Sequence, residues 1–219
     1  MKEYLQSSPT IDFEAEEVAD FTNNNMAKSS DPVKKAINFY YAVRDSIRYD
    51  PYSIDMSIDG LKASTTVHNQ RGWCVAKAIV LAACCRATGI PARLGFADVR
   101  NHLSTERMRN LMKTDIFFWH GYTSIFLNNE WVKATPAFNI ELCRKFRIQP
   151  LDFDGKNDSI YHPFDLDGNK HMEYIRYRGE SAEVPIERMM ETFMREYAPD
   201  LSLKEADFDA DTEQETRGG

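Results

Sequence analysis

Cys74 and His120 are the two residues of this chain whose types and surroundings are best suited to chemistry. Cys74 opens a stretch with helical spacing, and His120 lies in the aromatic, strand-like stretch 117–122. A thiol becomes a strong nucleophile only as a thiolate, and both a helix N-terminus and a neighbouring histidine lower the pKa of a thiol. The pair is therefore typical of cysteine-dependent acyl transfer.

The setting of Cys74 distinguishes it from the other three cysteines. Gly72 permits a close backbone approach, and the amides of a first helical turn favour an anion by about 0.3–1 kcal/mol. Cys84, Cys85 and Cys143 lack this combination, so we interpret them as structural. Adjacent cysteines rarely bridge each other, and the chain has no Cys-x-x-Cys and no histidine pair at metal-ligand spacing, so we expect reduced thiols and no metal site.

Two helices are predicted around the cysteine. Asp31-Pro32 is a helix start followed by apolar residues at helical spacing. A second helix is predicted over about 73–88, because Gly89 and Pro91 then stop it. The other segments are predicted as a docked arm or short helix (1–30), a loop (50–70), a strand (94–97), a helical excursion (101–113), turns at Asp154-Gly155 and Asp167-Gly168, and an amphipathic helix from Pro185.

A β-hairpin is predicted to carry the histidine. Residues 116–127 are rich in aromatic and β-branched side chains, and residues 128–129 are two asparagines that form typical turn chemistry. Counting outward from that turn places Thr135 opposite Tyr122, on the face of the hairpin that carries His120.

Length and charge predict one compact domain with an acidic tail. The 219 residues, 42% of them hydrophobic, can bury one core, and we expect a single domain over 1–199 with an N-terminal arm. Residues 200–219 carry a balance of −5 out of the net charge of −7, and we expect a disordered tail. Without a basic excess, a long apolar run or a signal segment, we expect no nucleic acid partner, no membrane association and a cytoplasmic location.

Several motifs resemble the transglutaminase-like superfamily. They are Gly72-Trp73-Cys74 with the apolar helix behind it, Arg86-Ala87-Thr88-Gly89-Ile90-Pro91-Ala92-Arg93, His120-Gly121-Tyr122, and Trp131-Val132-Lys133-Ala134-Thr135-Pro136. The resemblance covers about residues 33–139. It implies an α+β, papain-like core in which the cysteine-bearing helix packs on an antiparallel sheet that carries the histidine, with Cys74 as nucleophile and His120 as base.

The third catalytic position departs from the family pattern. The family usually has an aspartate directly before the proline of the second strand, whereas this chain has Thr135-Pro136. A threonine hydroxyl can accept the second imidazole hydrogen bond but supplies no negative charge. Asn139 is another candidate, and Asp98 or Asp115 could serve from a neighbouring segment. Thr135 is explained equally well as an ordinary strand residue.

Further residues are candidates for contacts with a substrate. An oxyanion hole would use the backbone N–H of Cys74 with a second donor from Gln70 or Trp73, although Gln70 also fits an exposed loop and Trp73 a packing anchor. The arginines near the predicted site would attract acidic groups, and we single out Arg100 with Asn101-His102.

Two hypotheses of function follow. The first is an enzyme without a cofactor in which a thioester forms on Cys74 and is resolved by water, as in a cysteine protease or amidase, or by an amine in a transamidation. Its substrate would be a peptide, a protein or a small amide, and we favour hydrolysis. The second is a catalytically weak domain that binds a peptide or protein partner in the same cleft, which the missing aspartate favours.

Overall fold

The computed structural model describes residues 1–101, 104–161, 164–197 and 206–216. It contains a short 3-10 helix at Lys2–Leu5 and the helices α1 (Glu16–Asn25), α2 (Pro32–Ser46), α3 (Ile58–Leu61), α4 (Ala63–Asn69), α5 (Cys74–Ala87), α6 (Glu106–Met112), α7 (Ile140–Lys145), α8 (Ile186–Glu196) and α9 (Phe208–Thr216). Its strands are β1 (Arg48–Tyr49), β2 (Arg71–Gly72), β3 (Ala92–Asn101), β4 (Ile116–Leu127), β5 (Glu130–Ala134) and β6 (Met172–Ser181). Within these ranges no helix is long and apolar enough to cross a membrane.

A central helix on an antiparallel sheet forms the core. The sheet has the strand order β5-β4-β3-β6, and each neighbouring pair is antiparallel. Helix α5 packs on β3 and β4, with α1, α2 and α4 against its other sides. Because α5 is enclosed in this way, its residues 74–86 are all buried, and its apolar residues occur all round the helix rather than in one stripe. The predicted α+β fold, a cysteine-bearing helix on an antiparallel sheet, is confirmed.

Helix α2 is tied to the first turn of α5. It begins as predicted, with the Asp31 carboxylate accepting a hydrogen bond from Val33 N at 2.9 Å. At its other end, the buried Lys77 ammonium donates to the carbonyl oxygens of Arg44 (2.9 Å) and Ile47 (2.5 Å). Burial lowers the pKa of Lys77 to about 7. One side chain of α5 therefore satisfies carbonyls at the end of α2 that have no partner within their own helix.

The predicted hairpin is confirmed, but its ladder is shorter than expected. Strands β4 and β5 pair from Leu127 with Glu130 to Thr123 with Ala134. The expected pairing of Thr135 with Tyr122 is wrong, because Thr135 N donates to the carbonyl of Ser159 at 2.8 Å instead. The following residue is a proline, which has no N–H for a sheet ladder, so the strand ends here.

The predictions for two other segments, 50–70 and 101–113, are corrected because capping residues start helices within them. The predicted loop 50–70 contains α3 and α4, and the Ser57 hydroxyl caps α3 by accepting from Gly60 N at 3.0 Å. Within the predicted excursion 101–113, Glu106–Met112 form α6 with Thr105 as the N-cap, and Asn101 belongs to β3. Strand β6 was not predicted from the sequence.

The acidic C-terminal segment also differs from the expected disordered tail. Of that segment the structure describes residues 206–216, and 208–216 form α9. Phe208 and Thr212 are buried, because α9 packs against the body of the protein. Residues 200–205 and 217–219 lie outside the described residues.

Candidate active site

Cys74 is the first residue of α5 and is held there by a short strand pair. Strands β1 and β2 are parallel, with Arg48 opposite Arg71 and Tyr49 opposite Gly72. The pair fixes the chain just before the cysteine, whose side chain is 6% exposed. The cysteine sulfur accepts a hydrogen bond from Gly121 N at 3.5 Å. The thiol therefore lies between the helix N-terminus and the strand that carries the predicted base.

Gly121 allows β4 to approach α5 this closely. A Cβ atom at this position would lie 2.8 Å from both Cα and Cγ2 of Val75, which is closer than real Cβ contacts. No side chain could be placed there without moving the strand off the helix. The glycine thus brings its own N–H to the Cys74 sulfur and places its neighbour His120 beside the start of α5.

Burial favours the protonated form of the Cys74 thiol. Desolvation raises the pKa of Cys74 to about 11, although backbone N–H groups of Gly121, Val75 and Cys74 itself act in the opposite direction. Those three groups would stabilise a thiolate once water reaches the site.

His120 lines the same cavity as Cys74 and is also neutral. Its side chain is 4% exposed, and desolvation, with a smaller effect of His171, lowers the pKa of His120 to about 4. The shared cavity has a volume of about 30 Å³ and is largely aromatic. Its other walls come from Tyr49, Pro51, Ile54, Trp73, Met108, Met112, Phe117, Phe118, Phe193 and Tyr197. The two groups are thus a thiol and a neutral imidazole in one enclosed, largely aromatic pocket.

A β-bulge sets the direction of His120. Between the pairs Ala97 with His120 and Val99 with Phe117, strand β4 has one residue more than β3. Trp119 takes the left-handed conformation there, with φ 62°, which is uncommon for a large side chain.

Asp98 on β3 holds this bulge in place. Its carboxylate accepts from Trp119 N at 3.2 Å and pairs with Arg178 at 2.5 Å. Arg178 in turn lies over the Trp119 ring, 4.6 Å from its centroid. Asp98 therefore acts on the backbone next to His120 rather than on the imidazole, so it does not take the place of the family aspartate.

Thr135 shares a second cavity with His120. Both His120 Nε2 and Thr135 Oγ1 are buried, and neither makes a hydrogen bond within the described residues. Both residues line a second cavity of about 20 Å³, which His171 and Tyr161 also line. That volume suffices for one water molecule with polar partners. Thr135 is therefore the candidate third residue that the fold brings to His120.

The other two candidates for this position are engaged elsewhere. The Asn139 side-chain oxygen accepts from Tyr49 N at 3.1 Å, which anchors β1. Asp115 forms an ion pair with Arg100 at 2.8 Å. Neither residue lines the two cavities that contain His120.

The predicted substrate contacts are only partly assembled. Trp73 is buried, lines the cysteine cavity and packs against Phe193 with ring centroids 6.3 Å apart. Gln70 is exposed at the end of α4 and does not line that cavity. Arg100 is on β3, paired with Asp115, and Asn101 is buried at the end of that strand, while His102 lies outside the described residues.

Three buried residues near the site were missed by sequence reasoning. His171 lines the cavity of Thr135, Tyr49 lines that of Cys74, and Lys77 lies one helical turn beyond the nucleophile. Only Lys77 left a signal, a lone charge inside an otherwise apolar helix. The remaining cysteines, Cys84, Cys85 and Cys143, are unpaired and fully or almost fully buried. In the described ranges no three His, Cys, Asp or Glu side chains converge as a metal ion would require.

A family model for the transglutaminase-like superfamily matches residues 19–136, which is more than half of the chain. The matched segment runs from α1 to the end of the hairpin and includes Cys74, His120 and Thr135. The chain therefore belongs to the transglutaminase-like superfamily.

A solved structure of a "putative cysteine protease" from Cytophaga hutchinsonii is similar to this chain, with a TM-score of 0.45 and 17% sequence identity. The alignment covers 61% of this chain and 40% of that protein, so this chain spans well under half of its length. No curated protein matches.

Proposed function

We propose that this protein is a cysteine-dependent enzyme that acts on amides through a thioester, with Cys74 as nucleophile and His120 as general base and acid. The observation that carries the proposal is the hydrogen bond from Gly121 N to the Cys74 sulfur, which fixes the thiol beside the residue that follows His120. Family membership supports the same assignment.

The first half-reaction would transfer the acyl group to the enzyme. His120 takes the thiol proton, the Cys74 sulfur bonds to the amide carbon, and the resulting oxyanion is stabilised by backbone N–H groups at the start of α5. The C–N bond then breaks, and the imidazolium gives its proton to the departing amine. Trp73, which lines the cysteine cavity, is the better placed of the two residues considered for the second oxyanion donor.

The second half-reaction would release the acyl group. A water molecule, deprotonated by His120, attacks the thioester carbon. The C–S bond breaks, the Cys74 sulfur takes the proton back from His120, and the carboxylic acid leaves. With an amine in place of water, the product is a new amide. We favour water. The substrate would be a peptide or small amide, and the cavity of about 30 Å³ would have to widen to admit it. Thr135 would orient His120 without adding charge.

Trapping the acyl-enzyme tests this proposal. The natural chain is mixed with an activated ester, and intact-mass measurements follow an acyl adduct at Cys74 with and without an added amine. We expect the adduct to form and to decay in water, to be absent in Cys74→Ser and to form at least about a hundredfold more slowly in His120→Gln, in line with general acid–base effects. Cys143→Ser is the matched control. The enzyme proposal is wrong if Cys74 acylates no faster than Cys84 or Cys143 and His120→Gln changes nothing.

A second candidate function is a binding domain with little turnover. It is favoured by the threonine in the position of the family aspartate and by the neutral, enclosed state of Cys74 and His120. In that case the acyl adduct would form but persist, because Thr135 supplies no charge to stabilise the imidazolium that forms when His120 deprotonates water. The decay rate of the adduct therefore separates the two functions.

A further inference from the structure

Helix α9 lies against a surface next to the cysteine cavity, and every acidic side chain of the helix has a partner there. Asp209 pairs with Arg48 on β1, and Asp211 pairs with Arg107 on α6 at 2.7 Å. Glu213 pairs with Lys145 at the end of α7 at 3.4 Å, and Glu215 accepts a hydrogen bond from the backbone N–H of Glu106 at 2.7 Å. Four carboxylates on one short helix thus reach four separate donors.

An aromatic contact accompanies these charges. Phe208 is buried and meets the rings of Tyr49 and Tyr52 edge-on, with centroids 5.9 and 5.3 Å apart. The Tyr52 hydroxyl donates to Asp211 at 2.8 Å. We call the surface formed by Arg48, Tyr49, Tyr52, Arg107 and Lys145 the docking surface.

The docking surface lies next to the cavity of Cys74 and shares a residue, Tyr49, with its lining. Tyr49 and Met108 line the cysteine cavity and also a neighbouring cavity of about 20 Å³ that Phe208 lines. Phe208 is therefore one side chain removed from the cavity of Cys74, and a substrate that reached the thiol from this side would meet the docking surface first.

We propose that the docking surface is the binding site for an acidic peptide segment with an aromatic residue, and that α9 occupies it as an intramolecular competitor that keeps the cleft closed. Three solvent-accessible cations spaced around two tyrosine rings match such a segment, and α9 demonstrates the match with residues of this chain. The proposal rests on the proposed function in one respect, namely that the peptide is part of a substrate. In this structure α9 is seated on the docking surface while both reactive groups are buried.

The test uses the full-length chain with the α9 acids neutralised. The variant D209N/D211N/E213Q/E215Q is compared with a matched variant, E14Q/E16Q/E17Q/D20N, which neutralises four exposed acids in and just before α1. Alkylation of Cys74 by iodoacetamide is followed by peptide mass mapping. We expect the α9 variant to label about tenfold faster or more, because a chain in which α9 is mostly docked reacts only through its undocked fraction. The α1 variant should label at the natural rate.

Two further measurements sharpen the outcome. Salt raised from about 0.05 to 0.5 M should speed labelling of the natural chain and not of the α9 variant, because the ion pairs are accessible to solvent. A fluorescent peptide of residues 206–216, ADFDADTEQET, should bind the α9 variant and slow its labelling again, whereas the same peptide with alanine for phenylalanine should not.

The two variants are first checked for similar unfolding temperatures. The proposal is then overturned if Cys74 of the α9 variant labels at the natural rate, or if the peptide fails to bind the α9 variant. Phe208→Ala gives an independent check, since it removes the aromatic contact and leaves every charge in place; natural-rate labelling there would also overturn the proposal. Binding and alkylation require no turnover. Failure here is therefore distinguishable from failure of the proposed function, which is judged by the acyl-enzyme.

Discussion

An alanine at position 121 should separate the nucleophile from its strand. Its Cβ would lie 2.8 Å from two Val75 atoms, where ordinary contact begins at 3.4 Å, so β4 must retreat by about 0.6 Å. The hydrogen bond from Gly121 N to the Cys74 sulfur is already 3.5 Å long and would be lost. Overpacking of this kind costs about 1–3 kcal/mol of unfolding free energy.

The chemical effect should exceed the effect on stability. Loss of one hydrogen bond to a charged group, worth about 1.5–3 kcal/mol, raises the pKa of the thiol further and slows acylation of Cys74 about 10- to 100-fold. We expect urea unfolding to report the first effect and the rate of adduct formation with an activated ester to report the second.

Gly89→Ala provides a control of similar stability cost. Gly89 has φ 78°, and a Cβ added there would have nothing within 4 Å, so alanine strains only the backbone after α5, by about 1–2 kcal/mol. Its acylation rate should match that of the natural chain. If Gly121→Ala acylates within twofold of Gly89→Ala, the close approach of β4 to α5 has no role in positioning the thiol.

Three further predictions concern the surroundings of the base. Asp98→Asn keeps an acceptor for Trp119 N–H, whereas Asp98→Leu keeps none, so the rate of acylation should fall more in the leucine variant. That variant also loses about 3–5 kcal/mol of stability. Equal acylation rates in the two variants would exclude positioning of His120 through the bulge. Because the pKa of His120 is depressed to about 4, the unfolded chain takes up a proton at a higher pH than the folded chain does. The contribution of His120 to the free energy of unfolding is therefore fully present above about pH 6.5 and should fall by about 3 kcal/mol as the pH drops toward 4. His120→Gln should flatten this fall in urea midpoints measured from pH 7 to 4.5, and an unchanged slope would contradict it. Thr135→Asp should raise the pKa of the imidazole and Thr135→Val should not, as followed by NMR titration; identical titrations would mean that Thr135 does not face His120.

The sequence predicts best the elements whose signals are local. Asp31 and Pro32 mark the start of α2, and the cysteine helix is predicted within a residue at each end, because Gly89 and Pro91 stop it. The hairpin follows from its turn at 128–129, and its register is correct as far as the pairing of Thr123 with Ala134. Each of these decisions depends on neighbouring residues alone.

The remaining features depend on contacts between distant segments. Thr135 leaves the ladder because Ser159 offers its backbone groups, and nothing near residue 135 indicates that partner except the proline after it. The bulge at Trp119 requires a carboxylate from β3, and α9 forms because its acids and Phe208 meet a surface built from three other parts of the chain. An acidic segment with few apolar residues has no such order by itself.

The enclosure of Cys74 affects when its thiol can react with other molecules during synthesis of the chain. The strand that donates to the sulfur lies 47 residues further along the chain, and α8, whose Phe193 lines the cavity, comes later still. Until those segments have left the ribosome and folded, the thiol has an ordinary pKa of about 8.5 and lies open to solvent. Oxidants and alkylating agents that react with exposed thiolates therefore act mainly on the newly made chain, and the finished fold protects its own nucleophile.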